Sequence, residues 1–133
     1  MKKRSLEVAF EAMKNAYAPY SNYHVGSCVI THDGTEFMGA NVENASYGAT
    51  NCGERSAIFA AYSNGYRQQD IAVIAIVTDG HLLAGPCGIC RQVLSELLEY
   101  NTPIYLSNGK ESMDTTIEEL LPLSFGKKDL DVI

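Results

Sequence analysis

The chain is poor in positive charge. Ten lysines and arginines against sixteen aspartates and glutamates leave a formal net charge of −6. A phosphate backbone is bound by a basic stripe, which this composition does not supply, so nucleic acid is not expected as a partner. The one basic cluster, Lys2-Lys3-Arg4, is followed by Glu7, Glu11 and Lys14, which interrupt the apolar stretch that a secretory leader requires. Long hydrophobic runs are missing too: nowhere do about 18 apolar residues follow one another, as a membrane-spanning helix demands. Internal repeats, low-complexity tracts and interdomain linkers are also lacking. Together these absences lead us to expect a cytoplasmic protein with no membrane partner.

What remains is ordinary globular material. With 133 residues, 46% of them hydrophobic and 20% charged, the chain can bury one sizeable core but not two. One domain over residues 1–133 is expected. The four cysteines, Cys28, Cys52, Cys87 and Cys90, could form two disulfides in a secreted protein. In a reducing compartment their spacing reads as metal or redox chemistry.

Hydrophobic periodicity divides the chain into alternating elements. Between Ser5 and Tyr17, Leu6, Ala9, Phe10, Met13, Ala16 and Tyr17 recur at helical spacing, and Pro19 breaks the pattern. Val25–His32 and Glu36–Val42 read as antiparallel strands joined through Asp33-Gly34, a pair suited to a tight turn. Residues 52–62 read as a helix with Ala57, Ile58, Ala60 and Ala61 inward, stopped by Ser63-Asn64-Gly65. Ile71–Val77 is nearly all apolar, as a central strand covered on both faces would be. A third helix runs from Pro86 to about Tyr100 with Val93, Leu94, Leu97 and Leu98 on one side, and Pro103–Leu106 is another strand. Thr116 and Glu119 have capping-box spacing before a short helix, Ile117–Leu121. A helix, a hairpin and then a βαβ rhythm imply an α/β fold, a mixed sheet sandwiched between helical layers.

Both cysteine clusters fall at expected helix N-termini. Cys52-Gly53-Glu54 opens one helix and Pro86-Cys87-Gly88-Ile89-Cys90 opens the next, with a strand between them. Adjacent helices on one side of a sheet bring their N-termini together, where the partial positive charge favours thiolates. Three converging thiolates suit Zn²⁺. With no good fourth protein ligand, the site reads as open and therefore catalytic, because structural zinc sites close their tetrahedron. Glu54, two residues past Cys52, can face the open position and take a proton from zinc-activated water. Three thiolates leave that centre with excess negative charge. Arg55 offers a remedy by directing guanidinium N–H groups at cysteine sulfur.

Cys52-Gly53-Glu54-Arg55 followed by Pro86-Cys87-Gly88-Ile89-Cys90-Arg91-Gln92-Val93 resembles the cytidine deaminases, specifically the small homotetrameric type with three cysteine ligands. Ala18-Pro19-Tyr20-Ser21, Val25-Gly26, Asn41-Val42-Glu43-Asn44-Ala45-Ser46-Tyr47 and Glu119-Leu120-Leu121-Pro122 resemble further family segments in the same order. The resemblance implies a three-layer α/β/α sandwich with a mixed five-stranded sheet and one Zn²⁺ per subunit. It implies hydrolytic deamination of cytidine and deoxycytidine to the uridine products and ammonia, with Glu54 as proton shuttle. It further implies that Asn41 and Glu43 bind the ribose, that the Gly53 amide meets the pyrimidine O2, and that Tyr23 packs against the base. Ala45, Tyr47 and Phe125 match positions supplied by neighbouring subunits of a tetramer. Gly53 stands where alanine is more usual, and Tyr23 where phenylalanine is.

Other readings of the same residues exist. Glu54 could be a capping-box partner of Asn51, three residues before it. Cys87-x-x-Cys90 alone could be a thioredoxin-like redox pair, although Cys52 and Glu54 have no role in dithiol exchange. Cys28 reads as a small core residue. Deamination of single-stranded nucleic acid or of a nucleoside antibiotic, and a non-enzymatic zinc module with four protein ligands, are the rival functions.

Overall fold

A computed structural model of the chain describes residues 1–130; the end of the expected domain, 131–133, lies outside the described residues. Its spine is a five-stranded mixed sheet in the order β2-β1-β3-β4-β5. Strand β1 (Val25–Thr31) pairs antiparallel with β2 (Glu36–Ala40) and with β3 (Ile71–Thr78). Strand β3 runs parallel to β4 (Ile104–Ser107), which pairs antiparallel with β5 (Ser112–Thr115). The parallel step needs a crossover, and α3 (Gly88–Leu97) supplies it.

Alternation along the strands divides the core between two faces. On one, Cys28, Ile30, Val73, Ala75 and Val77 pack against Val8 and Ala9 of α1 (Lys2–Met13). On the other, Val29, Ile74, Ile76, Ile104 and Leu106 meet Ala57, Ile58 and Ala61 of α2 (Gly53–Ser63). Leu94, Leu98 and Ile117 complete that second core from α3 and from α4 (Ile117–Leu120). Each fully buried isoleucine or leucine contributes roughly 1.5–3 kcal/mol relative to exposure. The layers are therefore helix, sheet, helices, as the sandwich reading expects.

Several boundaries differ from the periodicity, each for a physical reason. Helix α1 ends at Met13 rather than Tyr17, because the Tyr17 amide leaves the helix to donate to the Asn41 carbonyl at 2.9 Å, while the Tyr17 carbonyl accepts from the Glu43 amide at 2.8 Å. Its buried residues are Ser5, Val8, Ala9 and Ala12; Leu6, Phe10 and Met13 pack partly buried against the same core, and Tyr17 is exposed. The helix backbone lies directly on Gly26 of β1: a Cβ at Gly26 would stand 2.1 Å from the Ala9 carbonyl oxygen and 2.6 Å from the Met13 nitrogen. Val42 leaves β2 to make isolated bridges to Tyr17 and Asn51. Ala60 is only half-buried, and α3 stops three residues before Tyr100. Strand β5 has no apolar alternation, since three of its four residues are exposed at the sheet edge. A second short helix, α5 (Lys127–Leu130), follows α4.

The close approach at Gly26 has a measurable consequence. Gly26→Ala forces the helix backbone off the sheet, and overpacking of this kind costs about 1–3 kcal/mol or more. Urea unfolding should show a correspondingly lower midpoint.

Candidate active site

The start of β1 and the ends of β2 and β3 meet at one end of the sheet, where Val25 pairs with Thr78 and the Asn41 amide donates to the Val25 carbonyl at 3.2 Å. Helices α2 and α3 begin there as well. Cys52 is the N-cap of α2 and Cys87 the N-cap of α3, both with extended backbone and neither making a side-chain cap bond. Each sulfur thus sits beside amide groups that lack helical partners, in the positive end of the helix dipole. Cys90, one turn into α3, is fully buried. The Sγ atoms of Cys52, Cys87 and Cys90 all lie within 4.8 Å of one another. A tetrahedral zinc with ~2.3 Å bonds to sulfur needs thiolates about 3.8 Å apart, so this donor set fits the ion with modest closure.

Charge around Cys52 is arranged for a thiolate. The Arg55 Nη2 donates to Cys52 Sγ at 3.4 Å. The Cys52 thiol is held well below its ordinary range by a hydrogen bond from Cys90 and then by Arg55, whereas Cys90 is pushed up by that same bond and by burial. Glu54 is buried in the first turn of α2, and burial raises its carboxyl above the usual range against a hydrogen bond from Cys90. Burial thus favours its protonated form relative to an exposed carboxylate, which suits a group that carries a proton. Cys28 stays apart from all of this: it is fully buried in the α1 face of the sheet, and burial raises its thiol to about 12.

Beside the triad opens a cavity of about 560 Å³, lined among others by Cys52, Glu54, Cys87, Asn41, Glu43 and Tyr23. Cys52, Cys87 and Glu54 bring the sulfur cluster to it, and Asn41, Glu43 and Ser21 add polar lining. Asn41 is buried, with Oδ1 accepting from the Val25 amide at 2.9 Å and Nδ2 donating to the Tyr23 carbonyl at 2.8 Å. The Glu43 carboxylate accepts from the amides of Tyr20 and Ser21 at 3.0 and 3.1 Å and from the Ser21 hydroxyl. The Ser21 hydroxyl bond is the main reason its carboxyl lies below the usual range. Tyr23 lies against Gly80, where a Cβ would stand 2.8 Å from its ring.

The comparisons with known proteins agree with this geometry. Residues 1–105 match the family described as the cytidine and deoxycytidylate deaminase zinc-binding region. The chain belongs to the cytidine deaminase family. It is 45% identical over 127 residues to a cytidine deaminase of Halalkalibacterium halodurans, covering 95% of each chain. The crystal structure of a cytidine deaminase from Burkholderia pseudomallei superposes with a TM-score of 0.89 at 44% identity, over 94% of this chain and 99% of that one. A cytidine deaminase structure from Mycobacterium tuberculosis gives 0.77 at 34% identity, over 93% and 96%.

Within that family frame, not every residue singled out in the sequence reaches the cavity. Cys52, Cys87, Glu54, Asn41, Glu43 and Tyr23 line it, Cys90 completes the sulfur cluster, and Gly53 is the first residue of α2. Ala45, Tyr47 and Phe125 do not line it; Tyr47 is 79% exposed and Phe125 61% exposed. Asn51 is not the N-cap of α2, and its amide Nδ2 donates to Ser56 Oγ at 2.8 Å, so the Asn51–Glu54 capping box does not form. The Thr116 spacing does deliver a cap, its hydroxyl accepting from the Glu119 amide at 3.4 Å.

Sequence reasoning assigned no role to Arg91, although it stands in the quoted cysteine segment. Its Nε donates to the Pro86 carbonyl at 2.7 Å and its Nη1 to the Leu120 carbonyl at 2.9 Å, fixing the loop that carries Cys87. Gly85 leaves room for it, since a Cβ there would lie 3.0 Å from Nη2. Thr50, Ile76, Thr78 and Ala84 also line the cavity without a marked signature in the sequence. Among the described residues no helix is long and apolar enough to cross a membrane.

Thiol labelling checks the site directly. In the metal-free protein a bulky alkylating reagent should modify exposed Cys87 first and Cys28 only on unfolding. Added zinc should protect Cys87, whereas Cys28 should remain unreactive with or without the metal; labelling of Cys87 at an unchanged rate in zinc would reject the cysteine triad as the metal site.

Proposed function

We propose that the chain catalyses hydrolytic deamination of cytidine and deoxycytidine to uridine and deoxyuridine with release of ammonia. The observation that carries this reading is a buried carboxyl, Glu54, beside three clustered sulfurs, in a cavity that Asn41, Glu43 and Ser21 also line. Zinc, when held by Cys52, Cys87 and Cys90, supplies Lewis-acid activation of a water molecule. Glu54 accepts a proton from that water, delivers it to N3 of the pyrimidine and then assists protonation of the leaving amine. Its raised carboxyl affinity for protons suits both directions of transfer.

Asn41 and Glu43 hold the ribose hydroxyls in this reading. Their existing bonds to the 20–25 segment fix them in place and leave lone pairs and one amide hydrogen for a ligand. Tyr23 packs against the base and the Gly53 amide meets its O2. Arg55 withdraws charge from Cys52 sulfur, which makes the metal a stronger acid. The carboxylate of Glu43 in the cavity lining, with a net charge of −6, disfavours a substrate that continues into a phosphate there, so a free nucleoside is preferred to a nucleic-acid strand.

A homotetramer accounts for the residues that stand outside the cavity. Ala45, Tyr47 and Phe125 would then complete the site of an adjacent subunit, and the exposed apolar side chains of Phe59, Leu82 and Ile89 give further surface for such contacts. Unpaired cysteines and a nucleoside substrate support a cytoplasmic location for the enzyme.

The decisive measurement is the fall in ultraviolet absorbance of cytidine with zinc-loaded protein. Wild-type protein should turn it over, and Glu54→Gln should lower kcat by at least about 10²-fold, the usual scale for loss of a general acid–base, with zinc still bound. Wild-type protein inert on cytidine with stoichiometric zinc sinks the assignment. Arg55→Gln should lose zinc faster to a chelator or turn over more slowly; unaltered zinc content and rate would remove Arg55 from the mechanism.

A further inference from the structure

Among the described residues, two buried side-chain polar atoms have no hydrogen-bond partner: Arg55 Nε, beside the cysteine triad, and Thr78 Oγ1. Thr78 is the last residue of β3, 5% exposed, and lines the cavity between Val25, to which it is paired, and Ile76 on the same face. A hydroxyl left unpaired in such apolar surroundings costs free energy, and native proteins keep such groups chiefly where a ligand or water satisfies them. The carboxyl-terminal end of a parallel strand is also where α/β sheets place their ligands.

We propose that the Thr78 hydroxyl is a substrate-binding group, reserved for a polar edge of the pyrimidine ring. This rests on the cytosine-nucleoside reading of the cavity. Ser21, Thr50 and Thr78 bring hydroxyls to the cavity lining; that of Ser21 donates to Glu43 and that of Thr50 accepts from the Asn44 amide, whereas that of Thr78 has no partner among the described residues. Rotation about χ1 exchanges its hydroxyl and methyl positions, so the oxygen that is shielded in the empty cavity turns to the ligand when one is present. Binding then removes an unpaired group from the folded protein as well as making a bond. The site therefore gains discrimination in favour of a ring that carries a polar edge there.

Thr78→Val is the isosteric test, read by KM and kcat for cytidine, by the Kd of uridine, and by the thermal midpoint of the substrate-free enzyme. Expected are a KM and a uridine Kd raised by up to about tenfold, the scale of one hydrogen bond, with kcat changed much less. The midpoint should be unchanged or higher, because an unsatisfied buried group has gone, and Thr78→Ser should restore both binding constants. A KM and Kd within twofold of wild type overturn the proposal, and so does a lowered midpoint, which would mean the hydroxyl has a structural partner. If wild type binds uridine but does not deaminate cytidine, the reaction assignment fails while Thr78 is still judged on the uridine Kd. Absence of uridine binding by wild type overturns both.

Discussion

Two helix N-termini, each begun by a cysteine, meet at one end of a sheet, and the site depends on that meeting. Serine or aspartate at an N-cap would satisfy the first amides of the helix with oxygen. Cys52 and Cys87 instead put sulfur next to those amides without bonding them, so the dipole of each helix acts on a group able to become a thiolate. The sulfurs would not converge unless α2 and α3 lay on the same face of the sheet, and they do because both pack on the side of Val29, Ile74 and Ile76. Helix α1 is kept to the opposite side, with Cys28 beneath it. That separation leaves three cysteines for the metal and one for the core.

How closely the helices lie on the strands sets the scale of the cavity. Gly39 of β2 lets α2 approach until a Cβ there would stand 2.4 Å from the Gly53 carbonyl oxygen, as Gly26 does for α1. Gly53 itself lies tight against Val25, where a Cβ would come within 3.1 Å of the valine side chain and carbonyl. The absence of a side chain at the first position of α2 thus relieves a contact at the cavity wall. It also leaves the helix start with more backbone freedom to lose on folding.

Polar groups are satisfied around the cavity in an uneven way. Asn41 and Glu43 are each anchored to backbone of the 20–25 segment, which includes Asn22 in the left-handed region at φ 55°, a conformation asparagine tolerates better than most residues. Arg91 ties the Pro86 loop to the end of α4. Rigid positioning of these groups allows a small domain to hold reacting atoms in place without an additional structural element.

The sequence by itself determined the layered α/β class, the hairpin and the two helix starts that carry Cys52 with Glu54 and Cys87 with Cys90, because each depends on periodicity or spacing within one or two neighbouring elements. It also carried the family resemblance, and with it a fifth strand that the polar run Ser112–Thr115 did not announce. Tertiary structure decided the rest. In α1 the residues at helical spacing divide: Ala9 is fully buried, whereas Leu6, Phe10 and Met13 pack only partly buried against the core, because the helix backbone at Ala9 and Met13 itself lies on Gly26. Tyr17 and Val42 left their expected elements because pairing with each other's neighbourhood satisfied their backbones better than continuing a helix or strand. Arg91 and Thr78 acquired their positions only from partners, or a lack of partners, brought near from distant parts of the chain. Spacing along a sequence encodes which groups one element presents, whereas burial and hydrogen-bond satisfaction depend on what the other elements place opposite them.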